Sequence, residues 1–454
     1  MENNGQPREK WGSRFGFIMT AAGFSIGLGN IWRFPYLVGT NGGGAFVLIY
    51  LAIIALIGIP LFTMELSLGR KANSSPVAGM RKVTKKGSPW VSFGWAGVLA
   101  AFIILTYYIQ IMGWILGYIY QMATGKLSNL QAGGYTEAYD SFIGNPLLIT
   151  GLTLVCVIII GIISAQGLEK GIEKACKIMM PVLFIMLIGL AIRSLMLPGA
   201  MEGVKWYLTP DFSAVTWKTF AAALGQVFFS IGIASGGGFI YGSYLNKESN
   251  IPGDGLLIIG FDTLAALIAG MIMFPAIFAL GLEPGSGPKL LFVTMSNLFN
   301  QLPFAALFGT IFFLLVFFAA LSSALGYLEP VVTTAVDVFK MNRKKGVWVS
   351  LGLIFVIGLL TIMGNDTGPW SGISIYGYNM FNFADFLSGN VMMPIGALIL
   401  VLYTAYVWKF ENYQADANLG AKGFKVYSWW KPLVMILIPA ALLFIFINGI
   451  LPPK

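Results

Sequence analysis

Histidine is absent from this chain of 454 residues, and charged residues make up only 10% of it. Without histidine, a serine–histidine–aspartate triad, a histidine metal site and a histidine proton relay are all excluded. The only cysteines, Cys156 and Cys176, lie in or beside apolar stretches, so neither a disulfide framework nor a thiolate metal cluster is expected. So few charges cannot cover the surface of a soluble protein of this length. We therefore expect a membrane protein that is not an enzyme and has no catalytic residues.

Hydrophobic residues dominate the chain, at 57% of the total. A helix needs about 20 consecutive apolar residues to cross a bilayer, and eleven stretches of the sequence meet that length. We predict an all-α membrane protein whose spans, numbered one to eleven, lie near 14–38, 43–69, 90–124, 146–165, 171–193, 216–244, 254–280, 303–338, 346–363, 383–409 and 430–450.

The distribution of positive charge predicts the orientation of these spans. Most of the 28 lysine and arginine residues fall in alternate connections, at 8–14, 70–86, 170–177, 247, 340–345 and 409–431. Connections rich in lysine and arginine stay on the cytoplasmic side. We therefore expect a multi-pass protein of the plasma (cytoplasmic) membrane with its N-terminus in the cytoplasm. An odd number of spans then places the C-terminus outside.

Glycine clusters interrupt spans one and six near their middles. Residues 22–30 read AGFSIGLGN and residues 230–238 read SIGIASGGG. One such cluster alone is explained by close helix packing. Two clusters five spans apart are the pattern of a transporter built from inverted repeats, with discontinuous helices around a binding site. We predict an inverted five-plus-five repeat, with a tail at 1–13, repeats at 14–193 and 216–409, and span eleven with the C-terminus at 430–454.

The chemistry of a broken helix indicates what such a site binds. Unwinding exposes backbone N–H and C=O groups that hydrocarbon cannot satisfy, so it is tolerated only beside a cavity, an ion or a ligand. Carbonyl oxygens suit a sodium ion or an ammonium group, and amides at a helix N-terminus suit a carboxylate. A site that offers both favours a zwitterionic amino acid.

A long motif in span one resembles a known family. The sequence GLGNIWRFP at 27–35, followed by NGGGAF at 41–46, resembles the first-helix signature of the neurotransmitter:sodium symporters. The break in span six and the segment AALSS at 319–323 resemble that family as well, and the similarity covers almost the whole chain. Eleven spans and short tails are typical of a bacterial member. The resemblance implies a LeuT-like fold and sodium-coupled import of hydrophobic L-amino acids, aliphatic and aromatic, by alternating access.

Two sodium sites follow from the resemblance. Asn30 offers an amide oxygen, although a buried asparagine also bridges helices. Asp262 lies well inside span seven, where an ionisable group is functional by default; the alternative is a neutral, hydrogen-bonded carboxyl. The resemblance implies a first sodium site formed by Ser25, Asn30, Ser230 and Asp262. It implies a second site formed by Gly23, Ile26, Ala319, Ser322 and Ser323, although hydroxyls in membrane helices usually bond to their own carbonyls.

Asp262 also bears on the chloride requirement. Family members that need chloride carry a neutral residue at this position, and a leucine-transporting member has an acid one turn later, where this chain has Ala266. Our hypothesis is that the Asp262 carboxylate replaces chloride as the compensating negative charge, which would make transport chloride-independent. The corresponding chloride pocket would be framed by Tyr50, Gln226 and Ser230.

The resemblance also implies a substrate site between the two breaks. Tyr108 would donate to the substrate carboxylate, although an aromatic residue there is more often a packing residue. Gly232, Ala234 and Ser235 are small, and a leucine-transporting member has phenylalanine at the position of Ser235. We therefore expect room for aromatic substrates. The implied substrate-binding residues are Ser25, Gly27, Leu28, Gly29, Ile104, Tyr108, Phe229, Ser230, Ile231, Gly232, Ala234, Ser235 and Ser323.

Charged residues near both ends of the pathway resemble the gates of the family. Arg33 and Asp385 would form the external gate, since a wet, breakable pair suits a gate; the alternative is two interfacial charges that never meet. The implied internal gate consists of Arg8, Trp11, Tyr244 and Asp337. Glu65 in span two is expected to bond backbone freed at the breaks.

Three other function classes fit the sequence less well. A channel would need a continuous pore with a filter sequence. An intramembrane hydrolase would need paired aspartates or a serine–lysine dyad. A proton-coupled carrier of the same fold would lack the hydroxyls of the second sodium site, and replacing sodium with choline separates it from a sodium symporter. The expected partners are the substrate, sodium ions and lipid, with no nucleic acid, and the oligomeric state stays open.

Overall fold

The computed structural model describes residues 9–128, 130, 134–281, 289–301 and 303–450. Within them, the two β-strands are the antiparallel pair Ser374–Ile375 and Tyr378–Asn379, and an isolated β-bridge joins Gly43 and Pro210. Nine long apolar helices correspond to spans two to five and seven to eleven. Their bounds are Gly44–Ala72, Pro89–Ala123, Pro146–Ala165, Leu168–Leu195, Ile251–Ala279, Ala305–Asp337, Arg343–Met363, Met380–Val407 and Trp430–Gly449.

Spans one and six are each made of two shorter helices. The halves of span one, Arg14–Ser25 and Gly29–Thr40, meet at an angle of 54° and together have the length and composition of a tenth span. Span six consists of Trp217–Ile231 and Gly237–Ser243. The predicted all-α fold with breaks in these two spans is confirmed. Among the described residues, nine helices, or ten with the halves of span one joined, are long and apolar enough to cross a membrane, so the count of eleven stays a prediction.

Span three forms the centre of the bundle and span eleven its edge. In the most apolar stretch of span three 83% of the residues are buried, against 17% in span eleven. Span three packs along span eight, and span eight also contacts the first half of span one. The breaks therefore lie next to the most buried helices, away from the lipid-facing edge.

The break in span one follows from its local backbone. The first half ends at Ser25, and Ile26 leaves the helix with φ −72° and ψ 99°. The chain becomes helical again at Gly29 through a wide turn, Gly29–Arg33, with π-type hydrogen bonds. The side-chain oxygen of Asn30 accepts the Gly27 N–H at 3.0 Å, which stabilises the start of the second half. Carbonyls at the end of the first half are left without helical partners.

The break in span six depends on left-handed backbone. Gly232, Ala234 and Gly236 have φ of +67°, +62° and +79°. Glycine adopts this conformation without cost, whereas alanine does not. The buried carboxylate of Glu65 accepts the Ala234 N–H at 3.0 Å and the Phe239 N–H at 3.2 Å. The prediction that Glu65 bonds backbone freed at the breaks is confirmed, and these bonds fix the start of the second half-helix.

Candidate functional site

The first group of predicted sodium ligands forms one buried cluster. The amide nitrogen of Asn30 lies 3.0 Å from the Ser230 hydroxyl, 2.8 Å from Asp262 Oδ1 and 3.0 Å from the Asp262 carbonyl. The Ser230 hydroxyl donates to both Asp262 carboxylate oxygens, at 3.1 and 2.8 Å. The structure thus brings together residues from spans one, six and seven. Asn30 is 200 positions from Ser230 and 232 positions from Asp262 in the sequence.

The donor set of this cluster fits a hard cation. The electropositive amide nitrogen of Asn30 is surrounded by three oxygens at 2.8–3.0 Å. Rotation of the amide by half a turn, which breaks its bond with the Gly27 N–H, brings the side-chain oxygen to this position as a further ligand. Sodium and other hard cations prefer such all-oxygen sites. Ser25, the last residue of the first half of span one, is buried, and its hydroxyl donates back to the Ala21 carbonyl at 3.3 Å.

The second group lies where span eight meets the end of the first half of span one. The Ser323 hydroxyl contacts the Gly23 carbonyl at 3.3 Å and the Ile26 carbonyl at 3.2 Å. The Ser322 hydroxyl contacts the Ala319 carbonyl at 3.0 Å. A Cβ atom on Gly23 would lie 3.0 Å from the Ser322 Cβ, so the two helices touch there. All five residues therefore lie together and present neutral oxygen atoms.

Two hydroxyl groups face the unwound segment between these clusters. A Cβ atom on Gly27 would lie 2.7 Å from the Ser323 hydroxyl and 3.0 Å from the Tyr108 hydroxyl. The Tyr108 hydroxyl is buried and makes no hydrogen bond of ordinary geometry within the described residues. A buried hydroxyl without a partner costs about 1–3 kcal/mol, which a ligand carboxylate would relieve. Ile104, also buried, lies one turn earlier on the same helix.

Phe229 covers the unwound segment on its other side. A Cβ atom on Gly29 would lie 2.8 Å from the Phe229 ring, and the Arg33 guanidinium lies 4.5 Å from the ring centroid. This stacking is a cation–π contact. The side chain of Ile231, two residues later, points towards span two. A Cβ atom added to Gly58 of that span would lie 2.9 Å from the Ile231 side chain. Ile231 can therefore border the candidate substrate site only through its backbone.

The small residues of span six leave less space than their sizes suggest, because Phe24 fills part of it. A Cβ atom on Gly232 would lie 2.6 Å from the Phe24 ring, and one on Gly237 or Gly326 would overlap the same ring. Phe24 is 2% exposed. The Ser235 hydroxyl bonds the Gly232 carbonyl at 2.6 Å. The space expected on the Gly232 side is thus occupied by a residue that the sequence interpretation passed over.

The residues that would frame a chloride pocket surround the Asp262 cluster. Gln226 donates to the Gly29 carbonyl at 2.9 Å. Its side-chain oxygen and the Tyr50 hydroxyl are buried and make no hydrogen bond of ordinary geometry within the described residues, and the Tyr50 hydroxyl lies close to Ser230 and Thr263. Ala266 is fully buried and brings no charge. Within this part of the chain, the negative charge beside Ser230 comes from Asp262.

The residues predicted for the external gate line one cavity. Arg33 and Asp385 both border a cavity of about 220 Å³ beside Phe229. Their side chains are not ion-paired in the described structure: Arg33 stacks on Phe229, and Asp385 accepts the Tyr107 hydroxyl at 2.9 Å. The two charges thus share a cavity without forming an ion pair.

The predicted internal gate forms a network at the opposite end of the bundle. The Trp11 indole donates to the Tyr241 carbonyl at 3.1 Å, and its ring packs edge-on against Tyr244, with centroids 5.9 Å apart. Asp337 accepts the Ser75 N–H at 2.7 Å. Arg8, the remaining predicted member, lies outside the described residues.

Sequence reasoning missed a buried charged pair in this network. Glu329 binds Arg343 through two parallel hydrogen bonds of 2.9 and 2.8 Å and accepts the Tyr244 hydroxyl at 2.6 Å. Glu329 lies within span eight and is 1% exposed. The rule that singled out Asp262, that an ionisable residue inside a span is functional, applies equally to Glu329.

A second missed feature joins the beginnings of spans one and five. Glu173 accepts the Gly12 N–H at 2.8 Å and the Ser13 hydroxyl at 3.1 Å. In the reverse direction, Glu9 accepts the Leu168 N–H at 3.2 Å. Carboxylates are favourable at helix N-termini, so Glu9 caps the start of span five, while Glu173 binds the two residues that precede span one. The two helices are therefore fastened together at this end.

With this geometry established, comparison with known proteins gives the family. A sequence model described as the sodium:neurotransmitter symporter family matches residues 8–139 and 143–454. The chain belongs to this family. It is 39% identical over 440 residues to the uncharacterized sodium-dependent transporter YhdH of Bacillus subtilis (strain 168), with 97% of each chain covered. It is 28% identical over 500 residues to the sodium-dependent serotonin transporter of Drosophila melanogaster, covering 98% of this chain and 77% of that protein.

A solved structure has the same fold. The crystal structure of MhsT in complex with L-phenylalanine matches with a TM-score of 0.89 and 39% sequence identity, covering 98% of this chain and 100% of that chain. The predicted resemblance to the family is thereby confirmed, as is the LeuT-like fold class. The chain is a multi-pass membrane transporter of a sodium-dependent family.

Proposed function

We propose that this chain is a symporter that couples sodium entry to the import of hydrophobic L-amino acids, aliphatic and aromatic, across the plasma membrane. The observation that carries this proposal is the placement of two oxygen-rich clusters at the breaks of spans one and six. The similarity to a structure that holds L-phenylalanine supports an amino acid as substrate.

In this proposal the two clusters have different tasks. The cluster of Asn30, Ser230 and Asp262 binds the first sodium and lies beside the carboxylate of the substrate. Ser25 completes this site. The second sodium binds to neutral oxygens only, which suits an ion that must be released to the cytoplasm. Its ligands are Gly23, Ile26, Ala319, Ser322 and Ser323.

The substrate occupies the space between Tyr108 and Phe229. The buried Tyr108 hydroxyl donates to the substrate carboxylate, together with amides freed at the break near Leu28 and Gly29. Ile104 contacts the apolar side chain of the substrate. Phe229 lies between this space and the cavity that contains Arg33 and Asp385, so its ring is the inner layer of the external gate.

The membrane potential drives this import. Each sodium that enters down a potential of 100 mV contributes about 2.3 kcal/mol, so two ions contribute about 4.6 kcal/mol before their concentration gradient is counted. Concentrating a neutral amino acid a thousandfold costs about 4.1 kcal/mol. Two sodium ions are therefore sufficient for strong accumulation.

Chloride is not required in this proposal, because Asp262 supplies the negative charge. The proposal further includes a cytoplasmic N-terminus, an extracellular C-terminus and repeats at 14–193 and 216–409. Basic residues on alternate connections support this orientation.

Equilibrium binding tests the ion requirements. Purified protein is incubated with radiolabelled leucine in sodium chloride, sodium gluconate and choline chloride. We expect equal binding in the two sodium salts and at least tenfold less in choline. Binding that persists in choline would contradict the sodium sites, and binding lost in gluconate would contradict the role of Asp262.

A further inference from the structure

Two basic segments of the chain contain no acidic residue. No aspartate or glutamate occurs between Glu65 and Glu137, although this interval contains Arg70, Lys71, Arg81, Lys82, Lys85 and Lys86. Likewise, no acidic residue separates Asp337 from Asp366, an interval that contains Lys340, Arg343, Lys344 and Lys345. The orientation of spans depends on lysine and arginine, and acidic residues affect it little. Orientation therefore does not explain why acids are missing here.

The other basic connections on the same face differ in this respect. Lysines in them stand beside acids, as in the ion pairs of Lys177 with Glu173 and of Lys431 with Glu411, both at 2.6 Å. Arg14 pairs with Asp254 at 2.8 Å. The acids in these connections are Glu9, Glu169, Glu173, Glu248, Asp254, Glu411 and Asp416.

The fold places the two acid-free segments next to each other. Asp337, at the end of span eight, accepts the Ser75 N–H at the start of the short helix Pro76–Val83. The Trp95 ring lies 6.5 Å from that of Phe339. We call the exposed basic side chains around this junction the acid-free surface. Its members are Arg81, Lys82, Lys85, Lys86, Lys340, Lys344 and Lys345.

The charges of the acid-free surface are not neutralised within the described residues. No described carboxylate oxygen lies within 4.0 Å of any of its side-chain nitrogens. Arg343 is excluded from the surface because it binds Glu329. Asp337 is half-buried and accepts the Ser74 hydroxyl at 3.2 Å and the Ser75 N–H at 2.7 Å. These seven cations are exposed, and none of them is paired with a described carboxylate.

Exposed aromatic side chains place this surface at the edge of the hydrocarbon. Phe339 is 59% exposed and follows the end of span eight, and Trp348 is 44% exposed in the first turns of span nine. Aromatic residues at such positions typically lie at the level of lipid headgroups. A cluster of several lysines and arginines next to a span attracts anionic headgroups.

We propose that the acid-free surface binds the phosphate headgroup of an anionic lipid in the cytoplasmic leaflet. Lysines from both segments hold the phosphate, and Phe339 and Trp348 contact the acyl chains. This inference rests on the proposed orientation and on no step of the transport cycle, so a failure of sodium-coupled uptake leaves it standing.

Lipid titration followed by native mass spectrometry tests the proposal. The probes are cardiolipin, phosphatidylglycerol and phosphatidylcholine, added to the purified full chain in detergent. The test variant is K85Q/K86Q/K340Q/K344Q. The matched control, K170Q/K174Q/K422Q/K425Q, removes the same charge from exposed lysines of the other connections. Each lysine near an anionic surface is worth about fivefold in affinity, so removing four should weaken binding well over tenfold.

We expect the wild type and the control to retain cardiolipin or phosphatidylglycerol in preference to phosphatidylcholine. The test variant should lose that preference at least tenfold while its thermal unfolding temperature stays within a few degrees. If the test variant does not fold, K340Q/K344Q is measured in its place, with K422Q/K425Q as control. Equal losses in test and control variants would overturn the proposal, and so would displacement of the lipid by millimolar glycerol phosphate, which indicates a site for soluble anions.

Discussion

Asp262 is a carboxylate at mid-membrane whose described hydrogen-bond partners, Asn30 and Ser230, are both neutral. Burying a charge in such a place costs free energy, so it is expected only where it binds a cation or serves a function. Removing it should create a need for another anion, because the uncharged Tyr50 and Gln226 surround the same pocket. This is the residue on which the chloride requirement depends.

We predict that D262N makes uptake depend on chloride. Replacing chloride with gluconate should leave wild-type uptake unchanged and reduce that of D262N at least tenfold. The control is D254N. Asp254 belongs to the same helix as Asp262 but lies outside the site, where it pairs with Arg14. If D262N transports equally in chloride and gluconate, the carboxylate does not stand in for chloride.

Phe24 determines how much of the space beneath the span-six break is left for substrate. Its ring lies against Gly232, with its centroid 5.0 Å from that of Tyr327. We predict that F24A improves the affinity for tryptophan relative to leucine about tenfold, since a few methylenes of added room are worth that much. Competition binding with the two amino acids measures the ratio. The control is F17A, which truncates a buried ring beside Trp11 and should leave the affinity ratio unchanged. If the ratio is also unchanged in F24A, Phe24 does not border the substrate pocket.

At the scale of elements, the broken helices depend on close packing around that same ring. A methyl group on Gly237 would overlap the Phe24 ring, and Gly237 has ordinary helical backbone. We predict that G237A lowers the free energy of unfolding by about 1–3 kcal/mol through overpacking. The double variant F24A/G237A should be more stable than the sum of the single changes predicts, with a coupling of about 1 kcal/mol or more. Additive effects in thermal unfolding would show that the two elements are independent.

The contact between spans one and five should control access from the cytoplasm. Glu173 holds the Gly12 N–H and the Ser13 hydroxyl, and Cys176 lies buried one turn later. In a C156A background, which leaves Cys176 as the only cysteine, we predict that E173A raises the rate of thiol labelling severalfold because the helices separate more often. E169A, an exposed glutamate of the same segment, is the control. Labelling at the wild-type rate in E173A would mean that this contact does not hold the helices closed.

The spans and their breaks could be predicted from the sequence because the patterns that indicate them are local. Apolar length defines a span, and the glycines at 23–29 and 232–238 mark a break without reference to the rest of the chain. The contacts of Phe24 could not be predicted in this way, because the glycines against its ring belong to spans six and eight, far from Phe24 in the sequence. The same holds for Glu329 and Arg343, which meet across a loop. Which side chains meet between elements depends on packing that no local pattern encodes.

At the scale of the whole molecule, the account requires that sodium and amino acid move together. Two oxygen clusters at paired breaks explain coupling only if both are used in one cycle. A carrier of the same fold that used protons would share the breaks and differ in its response to sodium. Uptake therefore tests the account more directly than any single substitution.

The decisive measurement is uptake of radiolabelled leucine and tryptophan into proteoliposomes that contain the purified protein, with an inward gradient of sodium or of choline. The account predicts that both amino acids accumulate above their external concentration with sodium, and that neither does so with choline. Uptake that is equal in choline would contradict the sodium sites while leaving the fold in place, and the absence of uptake of any amino acid would contradict the proposed function itself.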